Sequence, residues 1–261
     1  MPTATNGSVS LYYDREGDGP TVVFVPDAGL GGWSWGWQHA AVAGPYEAVV
    51  WDLRGTGRSD APPGPYDLET LAGDLEAVLS ECEIRNAHLV GCGLGGAIAL
   101  AAARTSSRVA TLSLIGTAAE ESEYDLEPLF APPNDRNALR ESLRAGLSDE
   151  FLAEQPDVVD GIVDWRADGD ADRAGWEAQT AAFEGFDATD WLVEVTQPTR
   201  VFHGTVDELV SVDAGQDLAR GLPRGEFVDL EGAGHLAMIE QSRTINDGLL
   251  GFLEAQTDDE R

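Results

Sequence analysis

The sequence predicts an α/β fold: a mostly parallel sheet wound with crossover helices and carrying one inserted helical segment. Short apolar, β-rich runs alternate with longer amphipathic segments at both ends of the chain, which is the pattern of strands joined by crossover helices. Between them, residues 120–190 break that rhythm. They hold many acids and scattered Trp165, Trp176, Phe183 and Phe186, and no segment that reads as a strand. At 261 residues with 43% hydrophobic content, the chain can bury a full core in one large domain.

The strands are placed, in order, at 21–25 (TVVFV), 47–52 (EAVVWD), 86–90 (NAHLV), 110–115 (ATLSLI), 199–203 (TRVFH) and 225–230 (GEFVDL). Residues 8–13 add an antiparallel edge. A helix is expected over 67–82, where Leu68, Leu71, Leu75 and Val78 share a face. An alanine-rich helix over 95–104 suits close packing on a sheet. Segments 1–119 and 191–261 are thus read as the α/β core, and 120–190 as a helical cap that contains the connectors APPND (131–135) and DGDAD (168–172).

Charge narrows the partners. There are 47 acidic residues against 16 basic ones, a formal net charge of −31, and every cation is arginine. Such self-repulsion opposes compaction in dilute buffer, whereas molar salt shortens the Debye length to about 3 Å and removes most of the penalty. An acidic partner-binding face or an ordinary acidic protein would also give this sign, but the carboxylates run through the whole chain, which favours a halophile's interior. Nucleic acid and anionic membrane are disfavoured as partners. The opening MPTATNGSVS lacks a basic and an apolar region, and no apolar run is long enough for a membrane span, so a soluble, cytoplasmic protein is expected. Cys82 and Cys92 are read as free thiols in a reducing compartment.

Strand 86–90 runs into Gly91-Cys92-Gly93-Leu94-Gly95-Gly96 and then a helix. This is the setting of a G-x-S-x-G nucleophile elbow, but with glycine at the apex. The glycines alone fit a plain strand–helix turn or a phosphate-cradling loop equally well. Further segments decide. Asp52-Leu53-Arg54-Gly55-Thr56-Gly57-Arg58-Ser59-Asp60 follows the second core strand; Phe202-His203-Gly204-Thr205-Val206-Asp207 ends another strand; Gly232-Ala233-Gly234-His235 follows the last. Over nearly its full length the chain resembles the α/β-hydrolase superfamily, in particular its esterase- and lactonase-like branch with a helical cap. The resemblance implies Asp207 as the acid and His235 as the proton-moving histidine, in the order nucleophile site, acid, histidine. His39, His88 and His203 have no such context and are read as structural.

Two departures follow. Gly93 can neither attack a carbonyl nor form an acyl-enzyme. On the first core strand the family's His-Gly is replaced by Val25-Pro26-Asp27-Ala28-Gly29. By position, Ala28 and Leu94 would donate the oxyanion-binding N–H groups, and Asp27 would bring a carboxyl close to them, opposing oxyanion stabilisation unless it is protonated or turned away. Cys92 is the alternative nucleophile, but as the residue before the apex its side chain is expected to point away from His235, and a small buried thiol is the preferred reading. Ser34 is expected to cap the next helix. A serine at position 93 is expected to fit the turn and reach His235.

Losing a triad serine costs about 10⁶ in turnover, so standard serine-esterase chemistry is not expected. Three functions stay open: general-base or water-mediated chemistry by His235 on a small apolar ester-like or carbonyl substrate; a non-catalytic protein binding a small ligand or a partner; and a Cys92-dependent hydrolase. No cofactor and no metal site is expected, since no ligand spacing, dinucleotide fingerprint or P-loop is present. The sequence assigns no oligomeric state.

Overall fold

The computed structural model describes residues 1–259. In chain order it contains β1 (Thr3–Asn6), β2 (Val9–Glu16), β3 (Thr21–Val25), α1 (Gly36–Val42), β4 (Glu47–Trp51), α2 (Leu68–Glu81), β5 (Ala87–Cys92), α3 (Leu94–Thr105) and β6 (Val109–Ile115). There follow α4 (Arg136–Gly146), α5 (Asp149–Glu154), α6 (Pro156–Gly169), α7 (Arg173–Thr180), β7 (Thr199–Gly204), α8 (Val212–Gly221), β8 (Gly225–Leu230), α9 (Ala237–Glu240) and α10 (Ser242–Asp259).

The strands form one sheet in the order β1-β2-β4-β3-β5-β6-β7-β8. From β4 to β8 all pairs are parallel, and β1 and β2 close one edge as an antiparallel hairpin. Every residue of β3 and β5 is buried, because helices cover both faces at the centre of the sheet and such strands read as unbroken apolar runs. The edge strand β8 is half-exposed. The expected edge at 8–13 is β2, and β1 lies outside it as a strand the sequence pattern does not reveal. Helix α3 packs so close to β3 that a Cβ at Gly95 would overlap the Val25 carbonyl, which accounts for its run of small residues.

The parallel arrangement positions the site. Strands β3, β5, β7 and β8 all end at the same edge of the sheet, so the turns after them bring Asp27, Gly93, Asp207 and His235 together from four distant parts of the chain. The Asp52–Asp60 segment acts beside them as a brace. Asp52 accepts from the N–H groups of Gly32 (2.9 Å) and Arg58 (3.0 Å), Ser59 Oγ accepts from Tyr12 N (2.9 Å), and Arg54 forms a buried ion pair with Asp74.

Helices α4 to α7 lie between β6 and β7 in sequence and are fastened to the loop after β3. Gln179 on α7 accepts from Gly29 N (2.7 Å) and donates to the Arg54 carbonyl (2.7 Å) and Thr56 Oγ1 (2.6 Å). Asp170, just past α6, pairs with the buried Arg166 (2.7 Å) and accepts from Trp33 Nε1 (2.8 Å) and Gly31 N (3.3 Å). Ser34 does not cap α1: its hydroxyl donates to the Gly31 carbonyl (2.9 Å) within a 3-10 turn, and α1 has no side-chain cap.

Candidate active site

The chain turns at Gly93 with φ 50° and ψ −115°, the left-handed conformation that throws an elbow residue above the sheet. Helix α3 begins at the next residue, so the Leu94 N–H has no partner within the helix and points out of its first turn. The Ala28 N–H converges on the same point from the loop after β3.

That point is occupied by Asp27. Its Oδ1 accepts from Ala28 N (2.7 Å) and Leu94 N (2.7 Å), and its Oδ2 lies 3.1 Å from His235 Nε2. The carboxyl group neither turns away nor merely sits near the two donors; it consumes both. A Cβ at position 93 would overlap this carboxyl group, so a serine does not fit the turn while Asp27 is there. The expectation that serine would be accepted at position 93 therefore requires the Asp27 carboxyl group first to leave the N–H pair.

On its other nitrogen, His235 Nδ1 lies 2.8 Å from Asp207 Oδ2, and Asp207 Oδ1 accepts from Leu209 N (2.9 Å) and Val210 N (3.0 Å). The structure therefore lines up Asp27, His235 and Asp207 through a single imidazole ring. Burial opposes charge on that ring, but the Asp207 carboxylate, reinforced by the neighbouring Cys92 and by the hydrogen bonds to Asp207 and Asp27, raises its pKa well above the ordinary histidine value. Burial likewise opposes ionisation of Asp207, yet His235 and His203 outweigh it and hold the acid well below the usual carboxylate range. Both ring nitrogens are thus engaged, Nδ1 by Asp207 and Nε2 by Asp27.

His203 belongs to this network, contrary to the reading of it as merely structural. Its Nε2 lies 2.9 Å from the Val210 carbonyl and 3.3 Å from Asp207 Oδ2, so it backs the acid from beneath. Its place at the end of β7, four residues before Asp207, was the available signal.

Cys92 also differs from expectation. It does not point away from the histidine: its Sγ and the ligand atoms of Asp27 and His235 all lie within 4.8 Å of one another. Burial nevertheless pushes its thiol up to about 11, with His235 pulling the other way. A thiol in that state is a poor nucleophile at neutral pH. Tyr124 closes the site, its hydroxyl donating to the Ala118 carbonyl and accepting from the Ala118 N–H, both at 2.8 Å.

The site is sealed. His235 and Cys92 are fully buried and Asp27 is 1% exposed. The adjoining hollow, lined by Ala28, Gly29, Leu129, Phe130, Asp170 and Trp176 among others, has a volume of about 10 Å³, at or below what one water needs. A surface cleft of about 870 Å³ runs between α2, the end of α3 and residues 181–191, and none of these site residues lines it.

The fold is that of an α/β-hydrolase, with an eight-stranded, mostly parallel sheet. The chain belongs to the alpha/beta hydrolase family, whose model matches residues 22–247. It is 26% identical over 267 residues to RutD of Azorhizobium caulinodans, a protein named for carbamate hydrolysis, covering 97% of this chain and 98% of that one. It is 28% identical over 282 residues to the non-heme chloroperoxidase CPO-A1 of Kitasatospora aureofaciens, covering 97% and 99%. Among solved structures it resembles the enol-lactonase of Burkholderia xenovorans LB400, with a TM-score of 0.87, 25% identity and coverage of 97% and 100%. Among the described residues, no helix is long and apolar enough to cross a membrane.

Proposed function

We propose that this chain is a non-hydrolytic, binding member of its family, in which a side chain of the protein itself occupies the acyl-transfer site. The observation that carries this reading is the Asp27 carboxyl group, held by the N–H groups of Ala28 and Leu94 and facing His235. A bound carboxylate product or a tetrahedral oxyanion would need those same two donors. With Gly93 at the apex no serine can attack, and with His235 held between Asp207 and Asp27 both ring nitrogens are already engaged. The buried Cys92 thiol ranks below both as a nucleophile.

General-base chemistry on a small apolar ester-like or carbonyl substrate is the second reading. The 2.8 Å contact between His235 and Asp207 and the preserved turn at Gly93 favour it. It requires a substrate that displaces Asp27 from the N–H pair, and the relatives named for carbamate and enol-lactone chemistry suggest the class to try. The −31 charge supports a protein working in the molar salt of a halophile's cytoplasm.

Hydrolysis of p-nitrophenyl acetate and of a lactone, assayed in molar KCl, separates the readings. The binding reading expects no turnover above background for the wild type and no labelling by a fluorophosphonate. His235-dependent turnover that rises when Asp27 is changed to glycine would overturn it in favour of general-base chemistry.

A further inference from the structure

We propose that Asp27, Cys92 and His235 together bind a thiophilic divalent metal ion of the zinc class. Carboxylate, thiolate and imidazole are each zinc ligands. The three donor atoms lie within 4.8 Å of one another, and all three residues are buried. In a tetrahedral site with metal–nitrogen and metal–oxygen bonds of about 2.0–2.1 Å, those two donors stand about 3.3 Å apart; here Nε2 and Oδ2 are separated by 3.1 Å. The Cys92 Sγ lies within 4.8 Å of both.

The groups behind the donors are arranged as a metal site needs them. His235 Nδ1 is taken by Asp207 at 2.8 Å, which fixes the ring and aims Nε2 at the site, as in carboxylate–histidine–metal relays. Asp27 Oδ1 is taken by two backbone N–H groups, which leaves Oδ2 as the outward donor. Zinc-class ions bind thiolate and neutral imidazole, so binding would release the Cys92 thiol proton to solvent. The residues stand 65 and 143 positions apart, so no local spacing motif announces them. Metal binding does not depend on whether the protein turns over an ester, and the two can fail separately.

The test uses the full chain, treated with chelator and dialysed into molar KCl, which also weakens cation binding by the acidic surface. Titration with CoCl₂ should show one cobalt per chain, a thiolate-to-cobalt charge-transfer band, and displacement of that band by ZnCl₂. Cys92→Ser should abolish the band and Cys82→Ser should leave it unchanged. Asp207→Asn should weaken cobalt binding roughly 10- to 100-fold, the usual effect of removing a histidine's outer partner. Absence of the band, or its loss in Cys82→Ser but not in Cys92→Ser, would overturn the proposal. Should Cys92→Ser not fold, zinc X-ray absorption of the wild type decides: one sulfur at about 2.3 Å supports the site, and an all-oxygen shell overturns it.

Discussion

At position 93 the missing side chain is what gives Asp27 its room, and the two residues have to be changed together. Gly93→Ser alone should be destabilised and inert to fluorophosphonates, because its Cβ overlaps the carboxyl group. With Asp27→Gly the N–H pair and His235 are freed, and the double variant should react with the probe; reaction of the single variant as fast as the double one would contradict the geometry. The charge of His235 gives a second prediction at this scale, for metal-free protein. Asp207, Asp27, Cys92, Tyr124 and His203 surround the ring. Its folded pKa is raised, so its stabilisation is complete below about pH 6.5, the unfolded value, and is lost as pH rises through the folded one. Asp207 is depressed, so its share is present above about pH 3.9 and is lost as pH falls through its lower folded value. Urea midpoints should therefore fall from mildly acidic into alkaline pH, and His235→Gln should flatten that limb; parallel curves would refute the assignment. The meeting of Asp207, His235 and the turn at Gly93 was legible because each sits in a motif at a strand end. The destination of the Asp27 carboxyl group was not, since it depends on loop dihedrals and on a partner 67 residues away. Nor was the rotamer that brings Cys92 toward the ring.

Among the elements, the buried parallel strands were readable as continuous apolar runs, and β3 and β8 begin and end where the sequence places them. β1 escaped notice because TATN is four residues of small, mostly polar side chains at an exposed edge, where burial imposes no pattern. Helix α7 contributes most through one side chain. Gln179 satisfies Gly29 N, the Arg54 carbonyl and Thr56 Oγ1 at once, tying residues 173–180 to the loop that carries Asp27. Gln179→Ala leaves buried backbone groups unpaired, a loss of about 1–3 kcal/mol. Amide hydrogen exchange should quicken at residues 28–32 and across α7, while β3 and β5 stay protected. Unchanged exchange in the loop would show that α7 does not hold it.

For the whole molecule, the opposing terms are a continuous core and a surface of one sign. Arg104, Arg173 and Arg200 each pair with a surface carboxylate, but 16 cations cannot neutralise 47 acids. The excess repels itself over distances that only concentrated salt screens. Melting temperature should climb with KCl into the molar range, and dilute buffer should bring unfolding or aggregation. A melting temperature that stays flat or falls with salt would remove the halophilic reading. Composition made the charge imbalance visible from the outset, because net charge needs no knowledge of where any residue goes.

The interlock between Gly93 and Asp27 also fixes the order in which the site could change over generations. A mutation restoring serine first meets the carboxyl group and is penalised, however useful the hydroxyl would later be. Replacing Asp27 first opens the N–H pair without any clash, and only from that background does serine become an acceptable step. The reverse history, from a serine enzyme to the present chain, meets the same barrier, since aspartate cannot settle over an occupied apex. With the Asp27 carboxyl group in its present place, the path back to serine at position 93 runs through position 27.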